Sequence, residues 1–200
     1  MTYVLALTGG IATGKSTADQ FLKKQNIPIV DCDEIAHDLM KPKNASWQAI
    51  KDNFGEEYLN DDQTINRKKL GQLVFSNKSA LNRLNQLTHP LIFDKTIQKI
   101  TSYQNEDMVI LDAPVYFESG LDKKHIANSV LVITLPESIQ IERLKQRNNL
   151  TDKEARMRIN SQMPLSKKTQ LADFVIENTG TIKELESKLE QLLNKIKKEG

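Results

Sequence analysis

Tyr3-Val4-Leu5-Ala6-Leu7-Thr8-Gly9-Gly10-Ile11-Ala12-Thr13-Gly14-Lys15-Ser16-Thr17 is the stretch on which the fold turns. Its first six residues form a short apolar run that ends at paired glycines, the pattern of a strand buried on both faces of a parallel sheet. A helix is expected from Lys15 to about Gln25. Between strand and helix, Gly9 to Ser16 matches G-x-x-x-x-G-K-[ST], the P-loop pattern, in the structural context its mechanism requires. Glycines let backbone N–H groups curl around a polyphosphate, and the helix N-terminus adds unpaired donors and partial positive charge. Lys15 is expected to bridge the β- and γ-phosphates and Ser16 to ligate Mg²⁺. Gly9, Gly10, Ala12, Thr13, Gly14, Lys15, Ser16 and Thr17 are therefore candidate ATP-binding residues. With Gly usage of about 7%, the four fixed positions match by chance in roughly one chain in a hundred of this length.

Outward from this stretch, Pro28 to Asp31, Met108 to Asp112, Val130 to Ile133 and Phe174 to Ile176 read as further strands separated by helical patterns, which gives an α/β fold. Roughly 70 residues without a convincing strand separate the second strand from the third, far beyond an ordinary connection. Helices are expected there at Trp47 to Phe54, Arg67 to Phe75 and Lys78 to Leu87. His89-Pro90 reads as an extended corner, with Pro90 opening a last helix. A second helical stretch, Ile139 to Gln162, carries Arg143, Lys145, Arg147, Arg156 and Arg158; it is interrupted near Asn148-Asn149 and ended by Pro164, and is expected to form a mobile basic lid. Ile182, Leu185, Leu189, Leu192, Leu193 and Ile196 repeat at the spacing of an amphipathic surface helix.

The chain has 200 residues, enough for one hydrophobic core, so a single domain with insertions is expected. A composition of 38% hydrophobic and 27% charged residues excludes a disordered or fibrous chain. The net charge of +2 cannot by itself recruit DNA or an anionic membrane. One cysteine, Cys32, excludes an intramolecular disulfide framework and fits a reducing compartment. With no leader-like N-terminus and no stretch of membrane-spanning length, a cytoplasmic protein is expected.

Asp31-Cys32-Asp33 follows the second strand at its carboxyl end, the edge where open α/β sheets place ligands. Two readings of Asp33 stand: it orients an attacking hydroxyl and takes its proton, or it caps the helix from Glu34 to Met40. Asp112 reads as an acid holding Mg²⁺ through water or as a plain strand-end residue. Arg143 and Arg147, four apart, share a helix face and can clamp phosphoryl oxygens; a solvated basic face is the alternative, and the P-loop favours the clamp. His37, His89 and His125 lie in different segments and make no zinc site.

Five stretches resemble the dephospho-CoA kinase family over nearly the whole chain. Leu7 to Thr17 is similar to that family's version of the P-loop. Val30 to His37 resembles its Asp-Ala-Asp stretch, with Cys32 at the middle position. Leu87-Thr88-His89-Pro90-Leu91-Ile92 resembles its His-Pro turn, continuing with Phe93 where the family often has Arg. Leu111 to Gly120 resembles its Pro-Leu-Leu-Phe-Glu stretch, with Val115 and Tyr116 as departures. The fifth runs from Gln140 through Arg143 and Arg147 to Gln162, then from Ala172 to Gly180, with Asn148 where the family often has Asp.

The resemblance implies a P-loop NTPase fold of the nucleoside-monophosphate-kinase type: three layers, α/β/α, on a five-stranded parallel sheet. It places the core at about 1–35, 106–138 and 169–200, a helical acceptor-binding insertion at about 36–105 and a helical lid at about 139–168. It implies ATP-dependent phosphorylation of dephospho-CoA with Mg²⁺, the final step of coenzyme A synthesis. Asp33, Lys15, Arg143 and Arg147 are then the catalytic residues, Asn178 joins the ATP site, and Asp33, His89 and Pro114 bind the acceptor. ATP and dephospho-CoA are the expected partners, with no nucleic acid, membrane or obligate protein partner. Two rivals remain: a kinase for another small molecule, and a nucleotide-dependent switch. The guanine-switch pattern Asn-Lys-x-Asp has only a near match, Asn77-Lys78-Ser79-Ala80, without the final acid.

Overall fold

The computed structural model describes residues 2–199, which fall into two compact units, one of residues 2–30 and 103–199, the other Asp31–Ser102. The first is built on a five-stranded sheet: β1 (Tyr3–Gly9), β2 (Ile29–Asp31), β3 (Met108–Asp112), β4 (Ser129–Thr134) and β5 (Phe174–Glu177), in the order β2-β3-β1-β4-β5. β1 pairs in parallel with β3 and β4, and β4 with β5. Val4 to Gly9 and all of β3 are buried, as the continuous apolar runs require of strands covered on both faces. This is the expected five-stranded α/β arrangement.

Helices α1 (Lys15–Lys24) and α9 (Ile182–Glu199) cover one face. Ala18, Phe21 and Leu22 of α1 and Leu185, Leu189, Leu192, Leu193 and Ile196 of α9 share a core with Leu5, Leu7, Ile110, Leu131 and Ile133. The apolar stripe in the C-terminal segment is therefore the sheet-facing side of α9. Thr181 opens that helix: its hydroxyl accepts the Glu184 N–H, and the Glu184 carboxylate accepts the Thr181 N–H.

The basic stretch forms α6 (Glu137–Asn148) and α7 (Asp152–Asn160), followed by a short α8 (Leu165–Gln170). Asn149, at φ 51° in the left-handed region, ends α6, and a Thr151/Glu154 capping box starts α7. The interruption falls where the paired asparagines place it. Pro164 does not simply end helical structure; it is the N-cap of α8. Ile141, Leu144 and Ala155 form a small core against which Ile11 and Ala12 of the P-loop pack.

The second unit contains α2 (Cys32–Leu39), α3 (Ala45–Phe54), α4 (Arg67–Ser76) and α5 (Lys78–Thr101). Trp47, Ile50, Ile65, Leu70 and Val74 form its core, and Ala80, Leu81 and Leu84 of α5 pack on it. α2, α3 and α4 all pack against α5. The expected break at His89-Pro90 is absent: α5 runs on through both residues. Pro90 has no N–H to return to the Gln86 carbonyl, a loss of about 3 kcal/mol in a helix interior. Packing of three helices along α5 offsets that loss, which local sequence cannot report.

Candidate active site

The phosphate-binding loop leaves β1 at Gly9 and re-enters regular structure at Lys15. A tight turn forms it: the Thr13 N–H and hydroxyl both donate to the Gly10 carbonyl, at 3.3 and 2.8 Å. Ala12 (φ 61°) and Gly14 (φ 97°) both take left-handed backbone. At Gly14 there is a second constraint, because a Cβ there would collide with the Asn178 amide nitrogen. That nitrogen donates to the Thr13 carbonyl at 2.8 Å and pins the loop from the end of β5. α1 begins with no side-chain cap and no acid in its first turn. Its N-terminal N–H groups and positive dipole end therefore meet no protein carboxylate at the cap, the arrangement that suits an anionic ligand.

Gly9 to Thr17 line a cleft of about 650 Å³ together with Pro114, Arg143, Gln146, Arg147 and Gln162. Of the basic residues in α6 and α7, Arg156 is paired with Asp152 at 2.8 Å and Glu137 at 3.0 Å, and Lys145 lies 3.7 Å from Asp152. Arg143 and Arg147 are the two that reach the cleft lining. Arg143 donates to the Asn178 carbonyl at 3.1 Å. Arg147 donates through Nε to the Asn148 side-chain oxygen at 3.0 Å, so the neighbouring amide orients the guanidinium without neutralising it.

At the cleft floor, Lys15 Nζ lies 2.6 and 2.7 Å from the two carboxylate oxygens of Asp112, and 3.3 Å from Asp19. Asp112 is buried at the end of β3. Burial pulls the Lys15 pKa down, but the two carboxylates more than offset this and hold it above the ordinary lysine value. Lys15 is therefore a fixed cation at neutral pH.

The family model for dephospho-CoA kinase (CoaE) matches residues 3–184. The chain belongs to the dephospho-CoA kinase family. It is 84% identical over 200 residues to a dephospho-CoA kinase of Lactobacillus acidophilus, covering 100% of both chains. It is 52% identical to one from Lactobacillus johnsonii, covering 98% of this chain and 99% of the other. Among solved structures, dephospho-CoA kinase from Campylobacter jejuni superposes with a TM-score of 0.75 at 30% identity, covering 99% and 98% of the two chains. TT1252 from Thermus thermophilus gives 0.83 at 27% identity, covering 97% of each. A shikimate kinase from Bacteroides thetaiotaomicron, at 0.52 and 17% identity over 96% and 98% of the chains, shows the shared kinase fold alone.

The remaining expected site residues of this kinase lie in the helical unit. Asp33 is the second residue of α2 and does not cap it; Asp31 does, its carboxylate accepting the Asp33 and Glu34 N–H groups at 2.8 and 3.0 Å. The capping reading of Asp33 is thereby overturned: the residue one place ahead of the helix has the extended backbone a cap requires. His89 sits mid-way along α5 as an exposed residue, and the partial desolvation of its imidazole pushes the pKa below the ordinary value.

Three contributors were missed by the sequence reading. The Ile11 peptide is held from both sides: its N–H donates to Gln162 Oε1, and its carbonyl accepts from Gln140 Nε2, both at 2.8 Å. Lys168 is wholly buried, with Nζ 3.1 Å from the Gly9 carbonyl, 2.8 Å from the Pro114 carbonyl and 2.9 Å from Glu118. Glutamines and lysines in and beside polar helices carry no periodic signal that they turn inward. The fifth resembling stretch does begin and end its first part at Gln140 and Gln162.

Proposed function

We propose that this kinase transfers the γ-phosphoryl group of ATP to the ribose 3′-hydroxyl of dephospho-CoA, giving coenzyme A and ADP, the last step of coenzyme A synthesis. The observation that carries it is the cleft itself, which the uncapped α1 N-terminus, Lys15, Arg143 and Arg147 all line, in a chain of this family.

In this reading the P-loop from Gly9 to Thr17 holds the β- and γ-phosphates, Asn178 keeps the loop in its bound shape, and Lys15 leaves Asp112 for phosphate oxygens. Asp33 orients the 3′-hydroxyl and takes its proton as the new O–P bond forms. The bond from the γ-phosphorus to the bridging oxygen breaks, and ADP leaves with the electron pair. Arg143 and Arg147 neutralise charge that moves onto the transferred oxygens. His89 and Pro114 contact the acceptor.

The hard oxygen donors present suit Mg²⁺: the exposed Ser16 hydroxyl lines the cleft, and the buried Asp112 carboxylate lies beside Lys15. Among the described residues no cluster of three or more His, Cys, Asp or Glu could hold a metal alone. This fits an ion that arrives with nucleotide phosphates as its other ligands. When bound, Mg²⁺ supplies neutralisation of charge on the β- and γ-oxygens. No helix of the described residues is long and apolar enough to cross a membrane. We place the enzyme in the cytoplasm, where its substrates are soluble.

The test is ADP release with ATP and Mg²⁺, with dephospho-CoA, without acceptor, and with a panel of nucleosides and nucleotides. Turnover that requires dephospho-CoA, with a product one phosphate heavier, is expected. Turnover on a different acceptor alone would keep the phosphoryl donor and reject the acceptor.

A further inference from the structure

Lys168 is the one fully buried lysine among the described residues, and the chemistry just proposed gives it no task. Burying an ammonium is costly unless every proton finds an acceptor. Here three acceptors, the Gly9 carbonyl, the Pro114 carbonyl and Glu118 Oε1, match its three N–H donors. Glu118 Oε1 also accepts the Met163 N–H at 2.9 Å. The Thr8 hydroxyl donates to the same Pro114 carbonyl at 3.1 Å. One ion pair, its ammonium buried and its carboxylate reaching solvent, thus joins the first residue of the P-loop, the turn after β3, the chain leaving α7, and α8.

The contact with Gly9 bears on the cleft. In a trans peptide the carbonyl and the next N–H point in opposite directions. Anchoring the Gly9 carbonyl on Lys168 therefore turns the Gly10 N–H away from the ammonium, and Gly10 lines the cleft while Lys168 does not. Pro114, whose carbonyl is held by the same atom, lines the cleft too.

We infer that Lys168, paired with Glu118, is a positioning residue for phosphoryl transfer: it fixes the Gly9–Gly10 peptide and the Pro114 turn in the orientation that receives the nucleotide's phosphates. The inference rests on the proposed function for the identity of the reaction, and on the geometry alone for nucleotide binding.

The experiment compares the parent, Lys168→Met, and Lys168→Met with Glu118→Gln. The double variant removes the carboxylate's charge along with the ammonium, so it is expected to be the more stable of the two. ATP affinity is measured by equilibrium titration below each thermal midpoint, and kcat and KM with dephospho-CoA separately. Loss of an anchored, charge-assisted contact is expected to weaken ATP binding about tenfold or more, with kcat also reduced. A role confined to stability would lower the thermal midpoint and leave the ATP dissociation constant of the folded variant at the parent's value; that result overturns the inference. Should the parent phosphorylate only another acceptor, the acceptor assignment falls while the ATP titrations still decide the role of Lys168.

Discussion

The ammonium of Lys15 sits between the two carboxylate oxygens of Asp112, 2.6 and 2.7 Å from them, at the place where nucleotide phosphates are proposed to lie. In the proposed mechanism Asp112 holds the lysine until nucleotide phosphates displace it. Asp112→Asn leaves a largely buried cation with only Asp19, and the nucleotide-free variant is expected to lose up to about 3 kcal/mol, the low end for breaking a buried pair. ATP supplies replacement oxygens, so the gap in thermal midpoint between parent and variant should narrow on adding ATP. Narrowing with ATP alone but not with ATP and Mg²⁺ would assign Asp112 to the metal. Because the Lys15 pKa is raised, the pair's contribution is present below the ordinary lysine pKa and lost only as pH rises through the higher folded value. Between about pH 6 and 9 it should add no slope to stability.

Asp31 caps α2, and Asp33, two residues on, is the proposed base. Asp31→Ala removes the acceptor for two N–H groups of α2 and should cost about 1 kcal/mol in urea unfolding. Asp33→Asn should keep ATP affinity and stability but reduce kcat by about a hundredfold or more. An active Asp33→Asn enzyme would defeat the base assignment.

Arg147→Ala should reduce kcat by about a hundredfold while changing the ATP KM far less, since its clamp is proposed to tighten as charge moves onto the transferred group. Equal losses in binding and turnover would place Arg147 in ground-state binding instead. Arg143→Ala is expected to affect both, because Arg143 also holds the Asn178 carbonyl that follows β5.

His89 is expected to give the helical unit a small sensitivity to mild acid. Partial desolvation lowers its folded pKa, so the unfolded chain takes up the proton first as pH falls. Its neutral form favours the fold fully above the ordinary histidine pKa, and that advantage shrinks as pH drops towards the lower folded value. Urea midpoints at about pH 7.5 and 5.5 should show the decline, and His89→Gln should flatten it.

The strands and the P-loop were legible because an apolar run that ends at glycines has few other uses. β3 was placed residue for residue, and β2, β4 and β5 to within one. Pro90 misled because a proline's local preference is for helix starts, whereas its fate here is set by three helices packed on α5. The structural place of Asp33 was not legible, since two acids two residues apart compete for one cap and the backbone decides. Lys168 was illegible: Lys167-Lys168 looks like a solvated pair, and only α8, which the sequence does not announce, turns one of them inward.

Gly14 and Gly120 share a left-handed backbone, yet they differ in what a mutational scan should record. Around Gly120 a Cβ meets nothing within 4 Å, so asparagine, which tolerates that backbone, should be accepted there at little cost. At Gly14 the same substitution meets the amide of Asn178 as well, and even alanine must displace that amide from the Thr13 carbonyl it holds. A revertant search starting from Gly14→Ala should therefore recover second changes at Asn178 to a smaller residue. Those changes would release the Thr13 carbonyl, so expression should return sooner than growth that depends on the enzyme.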